Sequence, residues 1–354
     1  MPIIGISKHQ YYYKSKGTRS GRKPTQSTPR LVEGQKIDES NEAVIKQINT
    51  IQSNPDTDCG YHRMHSALIL IGYYINKKKV YRIMKENDLL KERHKKTNKT
   101  YAKYRVLTPE KPLELLEMDI KYFWIAKDRR YSYVLTIIDT FTRVVLDWSL
   151  GFSMKAYQVK QLWERVIINY LQSTDSLKRG VRIEVRNDNG PQFSAKIIQD
   201  FFKENYLNQV FTHPYTPQEN GHVESFHSIL STAIGSTQFW TLTDLEQRLK
   251  TFYFNYNKVR IHGSIAGLPP VVFWNLWNQG KIKRTVLKNK KQKFRLLIET
   301  QQVSGNESLR EVPCLECEAL EEPHILQKVK NMGAVLTNPH KQPSVQRSPS
   351  VVPC

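Results

Sequence analysis

Three apolar runs follow one another almost without interruption in the middle of the chain: LLEMDIKYFWI at 115–125, YSYVLTIID at 131–139 and TRVVLDWSL at 142–150. Each has the length and the β-branched and aromatic content of a strand. The last two are close enough to form a hairpin around Asp139–Thr142. Beyond them the pattern alternates. A helix is expected from about 154 to 172 with Ser153 as its cap, then a strand VRIEVR at 181–186 and a helix AKIIQDFFKENY capped by Ser194. A short strand QVFTH, a helix from about 218 and another from Leu242 to Tyr256 complete the series. Three consecutive strands and then alternating helices and strands describe a mixed sheet with helices on both faces, an α/β fold over residues 112–280.

The strands and their loops carry acids in places that call for an explanation. Asp119 lies inside the first apolar run, where an unpaired charge is expensive. Asp188 lies just past the fourth strand, followed by Gly190, and Glu224 falls in the first turns of a helix. Sixty-eight residues separate the first two, and 35 separate the second from the third. Read singly they are ordinary: a strand Asp, a turn Asp and a helix-start Glu favoured by the macrodipole. Read together they propose a metal site. Two such carboxylates about 4 Å apart repel by roughly 4 kcal/mol at an effective dielectric near 20, so a cation or proton must offset their clustering. Hard divalent ions take oxygen ligands, and two Mg²⁺ ions activate water and stabilise both phosphorus and leaving oxygen in phosphodiester cleavage.

On the last of these helices Val223, Phe226 and Leu230 form a core stripe, which puts Glu224, His227, Ser228 and Ser231 on another face, toward metal and DNA. Gln192, Gln218 and Asn220 flank the acids in loops, where their amides contact a DNA strand or stabilise turns; both readings fit. Tyr215 stacks on a base or packs on Pro217. Asp139 is expected to accept hydrogen bonds in its turn or to pair with Arg143.

The formal charge is +21, and its placement separates the chain into parts. Residues 1–111 hold 23 Lys/Arg against 10 Asp/Glu, residues 112–280 hold 18 against 16, and residues 281–354 hold 13 against 7. A near-neutral core with basic ends indicates an anionic partner. Residues 1–37 read as a basic arm or linker. Residues 38–95 give three amphipathic stretches, a helical module like a helix-turn-helix, with Lys77, Lys78, Lys79 and Arg82 at the start of the last helix as DNA contacts. A spacer with a solvated basic face gives the same pattern. Residues 96–111 form a basic linker, and the run KERHKKTNKTYAKYR, with Lys95 and Lys96, suits a strand laid along phosphates. Residues 281–354 lose periodicity and read as a basic, disordered tail.

Four cysteines are too scattered for a disulfide framework, and Cys59 with His62 and His65 lacks a fourth zinc ligand. No run is long and apolar enough for a membrane span. These features suggest a cytoplasmic, nucleoid-associated protein.

At these residues the chain resembles bacterial insertion-sequence transposases with a retroviral-integrase-like DDE core, and more narrowly the downstream-frame product of the insertion-sequence-three family. The segments that carry the resemblance are EMDI, YVLTIIDTFTRVVLDW, NDNGPQF, PYTPQENGHVESF and FYFNYNKVRIHGSIAGLPPVVFW, and upstream CGYHRMHSALILIGYYINKKKVYRIMKENDLL and GISKHQYYYK. The resemblance implies an RNase H-like fold, Mg²⁺ or Mn²⁺, and Asp119, Asp188 and Glu224 as catalytic metal ligands. It also implies recognition of terminal inverted repeats, joining of 3′-OH ends to target DNA, and a homo-oligomer on DNA. Fusion by frameshifting to an upstream-frame protein is implied too, with this chain as the downstream half. One position departs from the pattern. Where the family usually has Lys or Arg seven residues after the Glu, this chain has Ser231. That departure favours an alternative, a catalytically weakened or inactive protein that binds element ends. A structure-selective RNase H-type nuclease shares the acids but leaves the helical module unexplained.

Overall fold

Each apolar run becomes a strand. In a computed structural model of the chain, which describes residues 5, 8–14, 24–92, 108–174, 176–177, 182–212, 220–287, 291–299, 303 and 311, the central strands are β3 (Leu115–Ile125), β4 (Arg130–Asp139), β5 (Val145–Gly151), β6 (Ile183–Asn187) and β7 (Leu207–Phe211). They form one sheet in the order β5-β4-β3-β6-β7. The first three are antiparallel, with Asp119 opposite Thr136. The last two run parallel to β3, with Glu117 beside Arg186. This is the RNase H-like mixed sheet that the resemblance implies.

Helices cover both faces: α5 (Ala156–Val166, continued by a π-helical turn over Ile167–Gln172), the short α6 (Pro191–Ser194), α7 (Lys196–Glu204), α8 (Gly221–Ile234), α9 (Leu242–Lys258) and α10 (Pro270–Asn278). The apolar stripe of α8 packs with that of α9, Leu245, Leu249, Phe252, Tyr253 and Tyr256, against Ile125, Val134 and Ile138 of the sheet. A capping box starts α9: Asp244 N–H donates to Thr241 Oγ1 at 3.2 Å, and Thr241 N–H to Asp244 Oδ2 at 2.9 Å. Two expected caps are different. The Lys155 N–H at the start of α5 is taken by Gln158 Oε1 at 2.8 Å, to which Ser153 also donates. Ser194 closes α6, and α7 starts after Ala195 with no side-chain cap.

The N-terminal module has α2 (Asn41–Ser53), α3 (Tyr61–Leu70) and α4 (Lys77–Glu86), around a core of Val44, Ile48, Met64, Leu68, Val80, Ile83 and Met84. Ser40 Oγ and Asn76 Oδ1 accept the N–H groups of Ala43 and Lys79, capping α2 and α4. A short helix, α1 (Lys8–Tyr12), stands before it. Part of the expected arm is ordered: β1 (Ser27–Val32) and β2 (Gln35–Ser40) form a hairpin. Leu31 N–H donates to Gly72 O at 2.9 Å, and Arg30 Nε to Ile71 O at 3.1 Å. Gly72 has φ +98°, and a Cβ there would meet Leu31 O at 2.5 Å, so only glycine permits this approach.

The expected tail is also ordered where it begins. β8 (Ile282–Val286) and β9 (Gln292–Leu296) pair antiparallel. Phe294 joins Phe141, Phe273 and Trp277 in a small core, with ring centroids 5.2, 4.9 and 6.4 Å away. The basic composition hid this because two or three inward apolar side chains suffice to hold so short a hairpin. Chain contacts separate Met1–Pro313 from Cys314–Cys354, and the latter lies outside the described residues. Among the described residues no helix is long and apolar enough to cross a membrane.

One buried carboxylate ties the helical module to the core. Asp56, between α2 and α3, accepts both guanidinium nitrogens of Arg248 at 3.1 and 2.5 Å and Asn255 Nδ2 at 2.9 Å, while Arg260 donates to its carbonyl. Removing one member of such a buried pair leaves the other charge uncompensated. Asp56→Ala is expected to lower stability by about 3 kcal/mol, the low end for such pairs because Arg248 is partly solvated; urea unfolding measures it, and an unchanged midpoint refutes the clamp.

His262 gives a second prediction. Burial, then the charges of Arg260, Arg143 and Arg63, push its imidazole down to about 3. The unfolded chain therefore takes up a proton, between about 6.5 and the folded value, that the folded chain refuses. Its contribution is fully present above about pH 6.5 and is lost as pH falls toward the folded value. Urea midpoints of His262→Phe should fall less steeply with acidification than those of the parent chain.

Candidate active site

β3 places side chains alternately on the two faces of the sheet, so Glu117 and Asp119 share a face. That face meets α8. Glu117 is buried, and its Oε2 accepts the N–H groups of His222 and Val223 at 2.9 and 2.8 Å; its Oε1 is 2.9 Å from His222 Nδ1. These are N–H groups that the first turn of a helix cannot satisfy internally. A carboxylate from the neighbouring strand thus caps α8, which has no side-chain cap of its own. Burial drives the Glu117 carboxyl up to about 7, opposed by the Val223 N–H and the Arg143 and Arg186 charges. Sequence reading passed over this residue. The signal was there: a second acid two positions before Asp119 in the same apolar run.

The cap sets where the rest of α8 falls. Glu224 projects from the first turn to solvent. One turn on, His227 is buried, with Nδ1 3.3 Å from Asp119 Oδ2 and Nε2 without a hydrogen-bond partner among the described residues. The expected shared face of α8 therefore divides. Glu224 and Ser228 are exposed, His227 turns in to Asp119, and Ser231 donates to His227 O at 2.8 Å. On the other side of β3, Asp188 stands exposed just past β6, its Oδ1 accepting Gly190 N–H at 3.0 Å. A Cβ on Gly190 would lie 2.4 Å from Gln192 Nε2, so the glycine lets the Gln192 amide fold over the turn.

Asp119 is the electrostatic centre. Partial burial raises the Asp188 carboxyl, the Gly190 N–H lowers it, and the Asp119 charge raises it again. Partial burial also raises Glu224, and the charges of Asp119 and Glu117 add to this. Asp119 is thus felt by both other acids, giving two pairs that share one member. Among the described residues no three His, Cys, Asp or Glu side chains are grouped closely enough to hold one ion. The donor set still fits hard divalent cations: carboxylate oxygens that raise one another's proton affinity and that a cation would relieve.

The remaining expected contacts divide. Lys77 and Lys78 are exposed on α4. Lys79 instead donates to Ser27 O at 2.6 Å and Thr25 Oγ1 at 3.0 Å, and Arg82 to Thr25 O at 3.3 Å, so both hold the chain leading into β1. Asn220 is buried, its Nδ2 3.4 Å from Met118 O; it serves the junction of β3 and α8 rather than an exposed DNA surface. Gln192 is half-buried over Gly190. Lys95, Lys96, Tyr215 and Gln218 lie outside the described residues. Asp139 serves its turn, accepting the N–H groups of Leu113, Phe141 and Thr142 at 3.2, 3.3 and 2.9 Å.

Residues 109–217 and again 205–270 match models of the integrase core domain, and residues 38–97 match an HTH-like domain. The chain thus carries an integrase core domain and, ahead of it, an HTH-like domain. Its relatives include an insertion element IS476 protein of Xanthomonas euvesicatoria, 26% identical over 60% of this chain and 60% of that protein. An insertion element IS407 protein of Burkholderia multivorans is 24% identical over 60% of this chain and 74% of its own length. The integrase-core chain thus spans 60% of the length of the first relative. The catalytic core domain of BIV integrase aligns with 24% identity and a TM-score of 0.34, covering 48% of this chain and 98% of that one.

Removing the cap should loosen α8 without unfolding the integrase core. In Glu117→Ala the amides of His222 and Val223 are expected to exchange with deuterium at least about tenfold faster, an opening cost of about 1.4 kcal/mol or more for two charge-assisted hydrogen bonds. Glu117→Gln keeps one acceptor oxygen and should fall between. Unchanged exchange in the Ala variant would show that packing alone holds the helix.

Proposed function

We propose that the chain is a DNA transposase: a metal-dependent polynucleotidyl transferase that cleaves element ends and joins the 3′-OH to target DNA. What supports this reading is an integrase core domain whose Asp119 charge reaches both Asp188 and Glu224. Two Mg²⁺ or Mn²⁺ ions, when bound, would supply an activated attacking oxygen and a stabilised leaving oxygen. Asp119 with Asp188 would hold one and Asp119 with Glu224 the other, so the shared acid accounts for two pairs rather than a closed three-ligand cluster. The protein's own part is positioning. Glu117 holds the start of α8 to β3, and His227 lies against Asp119 from the next turn. Gly190 N–H holds one Asp188 oxygen.

DNA is the partner in this reading, as terminal inverted repeats and as target. The HTH-like module would grip duplex through the exposed Lys77 and Lys78. A homo-oligomer on DNA and an upstream-frame partner belong to the same proposal, as does action at the nucleoid.

Ser231 favours a second reading, an end-binding protein with weak or no catalysis. Its hydroxyl is turned to His227 O and presents no cation to a phosphate. Lys250 pairs with Glu246 at 2.8 Å, and Lys258 lies over the Phe254 ring. Labelled terminal-repeat DNA with Mg²⁺ separates the two. Strand transfer supports the transposase, and binding without cleavage supports the alternative. Asp188→Asn is expected to abolish joining, by at least about a hundredfold in rate for loss of a two-metal ligand, with end binding within about twofold of the parent. Joining at the parent rate would remove Asp188 from the site.

A further inference from the structure

The outer half of the β3–β4 hairpin is covered on the face that meets α8 and α9, where Ile125 is buried, but its other face carries a ladder of exposed rings. On the face opposite α8, Met118 is covered by α5 through Trp163, whose indole N–H is 3.1 Å from its sulfur. Four and six residues further along the same face, Tyr122 and Trp124 are 53% and 48% exposed. Their cross-strand partners are Tyr133 and Tyr131, and Tyr131 is 56% exposed. Both pairs meet edge to face, with centroids 5.1 Å apart. Large exposed aromatics grouped on one face are unusual on a folded surface and mark an interaction site.

The ladder's surroundings select the partner. Lys127, Arg129 and Arg130 are exposed at the hairpin tip. Lys127 N–H donates to the Trp240 backbone O at 3.0 Å, which holds the main chain of a further aromatic residue, 64% exposed, beside the tip. The ladder therefore ends at a cationic tip. Rings two residues apart along a strand are about 6.8 Å apart, twice the roughly 3.4 Å spacing of nucleotides along one DNA strand. That spacing admits one base between two rings. Aromatic faces with flanking cations are the chemistry that holds unpaired strands, because every base has a π-face.

We propose that Tyr122, Trp124 and Tyr131 form a stacking platform for unpaired DNA bases on the sheet face opposite α8, with Lys127 and Arg129 at the phosphates. The proposal rests on the reading of the chain as a DNA-processing integrase core, but its test needs no cleavage. The full chain is titrated in EDTA with a fluorescent oligothymidylate and with a duplex of equal length. Trp124→Ala and Tyr131→Ala should each weaken single-strand binding about tenfold, and the pair about a hundredfold, within the range for loss of one base stack per ring. Duplex binding should stay within about twofold, and the salt slope should not change, since no phosphate contact is lost. Trp124→Phe, which keeps a ring, should restore most of the affinity. Single-strand affinity equal to the parent's in the double variant overturns the proposal, as does equal weakening for single strand and duplex. So does a shift in sedimentation of the double variant without loss of single-strand affinity, which would assign the face to a second copy of the chain. Because metal is absent, failure here leaves the Asp188→Asn result untouched, and the converse holds.

Discussion

The contact on which the site depends is the Glu117 carboxylate set against the first turn of α8. A helix start presents unsatisfied N–H groups and the positive end of its dipole, and a strand carboxylate is the complementary group. Making this contact inside the protein desolvates a charge, and the two backbone donors with the His222 ring nitrogen offset that cost. Once it is made, the geometry of α8 relative to β3 is set. The residue two positions along the strand, Asp119, then faces His227, and Glu224 is brought into its field. The place of Glu224 relative to Asp119 thus depends on an interaction that neither acid makes itself.

A comparable device joins the HTH-like module to the integrase core. Asp56 lies in a loop of the module, and its three side-chain partners, Arg248, Asn255 and Arg260, come from α9 and from two residues beyond its end. The same α9 packs Tyr253 and Tyr256 under the sheet, with the Tyr253 hydroxyl 2.6 Å from Thr136 Oγ1, opposite Asp119 in register. One helix thus supports the strand of the central acid and anchors the module proposed to grip DNA. The β1–β2 hairpin takes Lys79 and Arg82 of α4 for structure, which leaves Lys77 and Lys78 as the outward cations at that helix start.

Much of this was legible in the residues because it depends on local period. The five central strands, the three helices of the module and the stripe of α8 each repeat with their own spacing, and the positions of Asp119, Asp188 and Glu224 on them follow directly. Asp139 in its turn was legible for the same reason. What misled was composition. Residues 27–40 and 282–296 are rich in polar and charged side chains, yet both form hairpins, held by partners distant in sequence: Gly72 for the first, Phe141 and Phe273 for the second.

By itself, then, the sequence determined the sheet's strands, the elements that carry the acids and the basic character of both ends, since these depend on neighbours within a few residues. Only the tertiary structure decided which acid caps a helix and which faces its partners, that Asn220 and Lys79 are engaged internally, and that the Tyr122–Trp124–Tyr131 ladder is left uncovered. Those outcomes depend on what lies opposite a side chain across a sheet or helix interface. The groups opposite come from more than a hundred residues away for Glu117 and Asn220, about fifty for Lys79, and from the reach of α5 for the ladder, a separation that no local pattern encodes.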